Sequence, residues 1–232
     1  MGYPKFLNIA SILYLDLYMG SGYWFYLALL FACVLYGLTN YRILAIPYRR
    51  LAQLCFIDFF AEILSRTSYI YFENSYPVYY ILIPITIVYQ ALIYISSYRS
   101  NSIQTKLRIW VALMLAAYVA VLLNAKSMFN FPSFGMMILS FSIILICLMS
   151  FYDMLNFPSD VSIYRQSLFW MNSANLIFYC TTFFIYGYFY YYRTPEWAYL
   201  LIGIFNIFLY SCYSLSFYLQ VIEFRNGNKL DG

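Results

Sequence analysis

Histidine is absent from this chain of 232 residues, and that gap alone excludes a wide range of chemistry. There is no His-dependent catalytic triad and no zinc or haem ligation through imidazole. Charge is nearly as scarce: only 9% of the residues are charged, and most of these stand between apolar runs. The lysines, Lys5, Lys106, Lys126 and Lys229, are all terminal or in connecting segments, so a retinal-type Schiff base has no attachment point inside a span. There is no glycine-rich phosphate loop, no run of basic residues and no nucleic-acid motif. No polar stretch exceeds about fifteen residues, too few for a separate soluble domain. Cys33, Cys55, Cys147, Cys180 and Cys212 fall one to an apolar run without a CxxC pair. They read as small buried side chains, not as a disulfide framework or metal site. No nucleophile–base set is visible, so the chain reads as a non-enzyme with no cofactor.

What is present is hydrophobic length. The chain is 64% hydrophobic with a mean hydropathy of +0.71, too apolar for a soluble domain of this size. Seven segments are long enough to cross about 30 Å of hydrocarbon. They are Tyr23–Leu44, Leu51–Phe72, Pro77–Tyr98, Leu107–Asn124, Pro132–Tyr152, Ser167–Tyr191 and Trp197–Phe224. Pro77, Pro132 and Pro195 sit at or just before segment starts, where a missing N–H costs nothing, whereas Pro84 predicts a kink inside the third span. Phe6–Leu17 is apolar but short and is interrupted by Asp16, which predicts an interfacial helix. Tyr and Phe, 29 and 22 of them, suit aromatic belts at both interfaces, although an AT-rich genome would give the same excess. The expected class is an all-α, polytopic seven-transmembrane bundle. Residues 1–22 form its N-terminal segment, 23–224 the membrane domain and 225–232 a short tail.

The second span carries three charges, which puts it in question, and counting basic residues answers the question. With seven spans, Arg42, Arg49, Arg50, Arg99, Lys106, Arg108, Arg165, Arg225 and Lys229 lie on one side, against Lys5, Lys126 and Arg193 on the other. Without the second span the two sides hold nearly equal numbers. The positive-inside rule therefore favours seven spans, with the N-terminus outside and the C-terminus in the cytoplasm of an inner or plasma membrane.

Those three charges, Asp58, Glu62 and Arg66, are the best site candidate in the chain. At 1.5 Å per residue they stand about 10, 16 and 22 Å into the span, on one stripe. Ionised groups at this depth cost several kcal/mol unless paired, and they usually mark a functional interior. Glu62 precedes Arg66 by four, the favourable order for an intrahelical pair. Asp58 has no basic neighbour on its own helix and needs a proton or a donor from another. This combination suits proton coupling, cation binding or a polar ligand. Gln90 in the third span, Asn172, Asn175 and Tyr179 in the sixth, and Asn206, Tyr210 and Tyr213 in the seventh could face the triplet across a polar cavity.

Two partial motifs lead nowhere. Glu62-x-x-x-Arg66 resembles part of the pattern of CAAX-type membrane proteases, whose histidines are missing here. Asp153 in Phe151-Tyr152-Asp153 resembles one half of an intramembrane aspartyl protease, whose GxGD half is missing too. A transporter would show an internal repeat and paired broken helices, and neither is visible.

The run Phe169-Trp170-Met171-Asn172-Ser173-Ala174-Asn175-Leu176-Ile177-Phe178-Tyr179, followed by Thr181-Thr182-Phe183-Phe184, resembles a recurring segment of uncharacterised bacterial seven-helix membrane proteins. Those are regarded as sensory or accessory subunits, some encoded beside histidine kinases. The resemblance is confined to the last two spans and carries over no functional residue. It implies a receptor or sensory subunit that binds a small or lipidic ligand. Its short cytoplasmic loops would need a partner of histidine-kinase type, or a second copy, to pass the signal on. A small proton- or cation-coupled transporter or channel is the alternative, and a structural membrane subunit a further one.

Overall fold

The computed structural model describes residues 9–98, 100–125, 127–128, 130–157, 162–192 and 196–227. Among them every long element is a helix: α1 (Ile9–Thr39), α2 (Ile46–Phe72), α3 (Tyr76–Ser97), α4 (Asn101–Leu123), α5 (Ser133–Asn156), α6 (Ser167–Tyr191) and α7 (Glu196–Gly227). A short 3-10 turn, Ile163–Arg165, precedes α6. The chain before Ile9, the tail beyond Gly227 and the charges Lys5, Arg99, Lys126, Arg193 and Lys229 lie outside the described residues. Helix is the outcome that lipid enforces, because an apolar run there must satisfy its own backbone. All but α2 are long and apolar enough to cross a membrane, which makes this a multi-pass membrane protein.

The helix boundaries follow from local chemistry. Pro47 sits in the first turn of α2, where no N–H is needed. At its other end Glu73 adopts a left-handed conformation (φ 54°) and donates its N–H to Tyr69 O at 2.9 Å, closing the last turn. Ser and Thr hydroxyls within the helices bond back to carbonyls one turn earlier, as Thr67 does to Ile63 O (2.8 Å) and Ser211 to Ile207 O (2.7 Å). α1 runs unbroken from Ile9 through Gly20-Ser21-Gly22, where a break between an interfacial helix and the first span was expected.

Pro84 lies inside α3, and the helix continues through it. A proline cannot bond the carbonyl four residues back, here that of Tyr80. The Tyr118 hydroxyl on α4, itself 1% exposed, donates to that oxygen at 2.6 Å. A backbone acceptor freed by proline is thus satisfied from the neighbouring helix.

α2 lies lengthwise between α1 and α3 and antiparallel to both. Against α1, Tyr26 meets Glu62, Phe31 meets Phe59, and Cys33 Sγ lies 4.0 Å from Cys55 Sγ. A Cβ on Gly37 would come within 2.9 Å of Ala52 Cβ, so the two backbones approach closely there. Against α3, Ser65 meets Tyr79 at one end and Arg50 donates to Leu92 O at the other. α2 therefore runs alongside the apolar helices on either side, from Arg50 to Ser65. The ring closes through α5, α6 and α7 back onto α1, with α4 packed outside α3 and α5. Exposed aromatics collect at both ends: Tyr71, Phe72, Tyr191 and Tyr192 at one, Tyr152, Phe157, Tyr164 and Tyr218 at the other.

Candidate functional site

The α2 stripe supplies the acidic end of the site. Asp58 and Glu62 are half-buried, one turn apart, and each accepts a hydrogen bond from a tyrosine of a different helix. Tyr210 on α7 donates to Asp58 Oδ2 at 3.2 Å, and Tyr26 on α1 donates to Glu62 Oε1 at 3.1 Å. The two tyrosine rings lie 5.8 Å apart, so they clasp both carboxylates from one side. One turn further on, the Arg66 guanidinium lies over the Tyr23 ring, 6.0 Å from its centre. The donor that Asp58 lacks on its own helix is a phenol on the last one.

From Tyr210 a polar column continues into the bundle. Its ring meets Tyr213 edge-on at 5.7 Å. The Tyr213 hydroxyl donates to Asn175 Oδ1 and accepts from Gln90 Nε2 (3.3 Å). Asn175 Nδ2 donates to Gln90 Oε1 (3.3 Å) and to the Tyr94 hydroxyl (3.0 Å). Tyr94 donates to Asn172 Oδ1 (3.0 Å), and Asn172 Nδ2 donates to Cys147 O on α5 (3.1 Å). Gln90, Tyr94, Asn172, Asn175 and Tyr213 are each no more than 1% exposed. α2, α3, α5, α6 and α7 thereby meet at one set of side chains.

Toward the end where α2 begins, the Tyr98 hydroxyl donates to Ile146 O (2.8 Å). Ser167 donates to the Tyr48 hydroxyl (2.6 Å), and Ser216 to Ser167 O (2.7 Å). Beside them a depression of about 310 Å³ is lined by Asp153, Glu223, Gln166, Gln220 and Ser97, among others. Glu62 and Tyr48 are fourteen residues apart on α2, so polar groups follow one another over about 21 Å of the bundle.

Of the residues singled out by type, Asp58, Gln90, Asn172, Asn175 and Tyr210 stand together in or at the end of this column. Tyr179 is buried beside it against Phe178. Asn206, half-buried on α7, forms none of its bonds. The arrangement is a hydrogen-bonded core, not the open polar cavity expected from composition. Tyr26, Tyr94 and the group Tyr48, Ser167 and Ser216 were not anticipated. The four-residue spacing of Gln90 and Tyr94 could have revealed Tyr94, but 29 tyrosines hide any single one.

No family model, curated protein or solved structure matches this chain. What fold and site define is a class: a multi-pass helical membrane protein organised around a buried column of phenols and amides with two carboxylates at one end.

Proposed function

We propose that the chain is a seven-span receptor or sensory subunit of the plasma membrane, with its N-terminus outside and its C-terminus in the cytoplasm. A small or lipidic ligand acts at Asp58, Glu62 and Arg66, and a partner of histidine-kinase type, or a second copy, reads the cytoplasmic loops. The observation that carries this reading is the column itself. It joins the acidic end on α2 to α7 through Tyr210, whose ring packs on Tyr213, and from Tyr213 to α6, α3 and α5 through buried hydrogen bonds, which gives a displacement at Asp58 a route to four other helices. The antiparallel run of α2 between α1 and α3 supports counting it as the seventh span. The resemblance of residues 169–184 to a segment of bacterial sensory subunits supports the signalling role.

The transporter alternative rests on the same two carboxylates. Against it, the middle of the column is built of Gln90, Asn172 and Asn175. Amides donate and accept hydrogen bonds but do not take up and release protons near neutral pH. These amides stand between the phenols Tyr213 and Tyr94 and interrupt a relay of titratable groups, which favours the sensory reading over proton transport.

Two measurements test the reading in bilayer nanodiscs and liposomes. Ala45→Cys and Asn74→Cys should react with membrane-impermeant maleimide from opposite sides; reaction from one side removes α2 as a span. Asp58→Asn should alter amide hydrogen exchange at residues 162–166, beside Ser167 at the other end of the polar groups, with no proton flux in either protein. An unchanged exchange pattern, or a flux abolished by Asp58→Asn, would sink the sensory reading and, in the second case, favour transport.

A further inference from the structure

The groove between α4 and α5 lies away from the column and does not depend on the sensory reading. α4 is the least buried of the apolar helices, and Ile109, Leu113, Val119 and Leu123 on it are exposed. On its inner flank Ile103, Lys106 and Trp110 form a stripe at helical spacing, and Leu145, Leu148, Met149 and Tyr152 form the matching stripe on α5. Together they line a groove of about 490 Å³, far more than the ~30 Å³ share of a water molecule. Its walls are apolar along about 10 Å of helix, the rise of seven residues.

This otherwise apolar groove carries one charge. Lys106 is exposed about 7 Å inside the start of α4, a depth from which its amine reaches the headgroup level along the membrane normal. No carboxylate of a described residue lines the groove with it. The Trp110 indole N–H, one turn further along the same stripe, is buried with no hydrogen-bond acceptor. Tyr152, an exposed ring near the end of α5, lines the same groove, as suits an amphipathic ring at an interface. Apolar walls with a single cation among them fit an acyl chain joined to an anionic headgroup.

The geometry points to a specific site for one anionic phospholipid, its acyl chain lying between α4 and α5 and its phosphate at Lys106. This is a bound lipid, distinct from the exchanging lipid that covers the outer face of α4. The test is native mass spectrometry of the full chain released from nanodiscs of equal phosphatidylglycerol and phosphatidylcholine. The wild type should retain one phosphatidylglycerol in preference to phosphatidylcholine by about fivefold, the factor a single near-surface lysine contributes to anionic-lipid attraction. Lys106→Gln should remove the preference, and Leu148→Trp, which fills the groove, should remove the bound lipid. Arg108→Gln, an exposed cation outside the groove, should change neither. Retention of both lipids equally, a preference that survives Lys106→Gln, or a lipid-free dimer in the spectrum would overturn the proposal.

Discussion

Asn175→Ala takes one acceptor and two donors out of the centre of the bundle. The wild-type amide bonds Tyr213, Gln90 and Tyr94, each on another helix. Interhelical bonds of this kind contribute about 0.6 kcal/mol on average in membrane bundles, so three come to about 2 kcal/mol. The loss does not reach the full cost of three orphaned groups, because the partners keep other contacts. Tyr94 still donates to Asn172, and Gln90 still donates to Tyr213. The groups left short are the Tyr213 O–H and Gln90 Oε1. The control is Asn206→Ala, an amide on α7 outside the column, which should stay within about 0.5 kcal/mol of wild type. Reversible unfolding in mixed detergent–SDS micelles, followed by tryptophan fluorescence, reads both. Adding Tyr213→Phe to Asn175→Ala should then cost less than Tyr213→Phe alone, since only the bond accepted from Gln90 is left to lose. If Asn175→Ala is no more destabilising than Asn206→Ala, the column is not an energetic unit and the argument for coupling through it fails.

Two further outcomes follow from backbone geometry. Tyr118→Phe should cost about 1–2 kcal/mol, because it strips the donor from a buried backbone carbonyl. In a Pro84→Ala background the cost should fall below half of that, since the restored N–H reaches Tyr80 O; equal costs in both backgrounds would refute the account of how α3 tolerates its proline. Gly37→Ala places a methyl within 2.9 Å of Ala52 Cβ and 3.3 Å of the Phe217 ring, and should destabilise by about 1–2 kcal/mol despite alanine's better helix propensity. Ala52→Gly should restore most of it, and failure to do so in the same unfolding assay would place the crowding elsewhere.

The helices were legible because lipid leaves an apolar run of twenty residues few alternatives, and most boundaries moved by only a few residues. There are two exceptions. An interfacial helix ending before Gly20-Ser21-Gly22 was expected, yet α1 passes through those residues into the first span as one helix. α4 begins six residues before the apolar run that announced it, since Asn101–Lys106 is polar but helical. At the site, rare residue types were easy to find and common ones were not. Gln90, Asn172 and Asn175 stand out in apolar runs, and they prove to share one network. Tyr94 and Tyr26 carry as many of the contacts and pass unnoticed among 29 tyrosines. Spacing gave Asn206 and Tyr210 a common face, but spacing fixes only the angle around the helix axis. The level along that axis decides which groups meet, and near Glu62 the donor comes from Tyr26 on α1.

Lipid tails are as apolar as leucine, so helices in a membrane have little hydrophobic reason to prefer one rotation over another. In this bundle the polar column supplies that reason. On the proposed sensory reading, the bonds that fix the rotations of α2, α3, α6 and α7 are the ones a ligand at Asp58 disturbs. This is why a structural and a signalling role cannot be separated by residue type, and why loss of stability alone does not distinguish them. They separate by position. A purely structural column has no need of two half-buried carboxylates at one end, where neutral side chains would form the same bonds without the cost of placing acids at membrane depth. Asp58→Asn keeps an oxygen to accept from the Tyr210 hydroxyl and removes only the titratable group. A response to it at residues 162–166 would thus report coupling through the column and not collapse of the bundle.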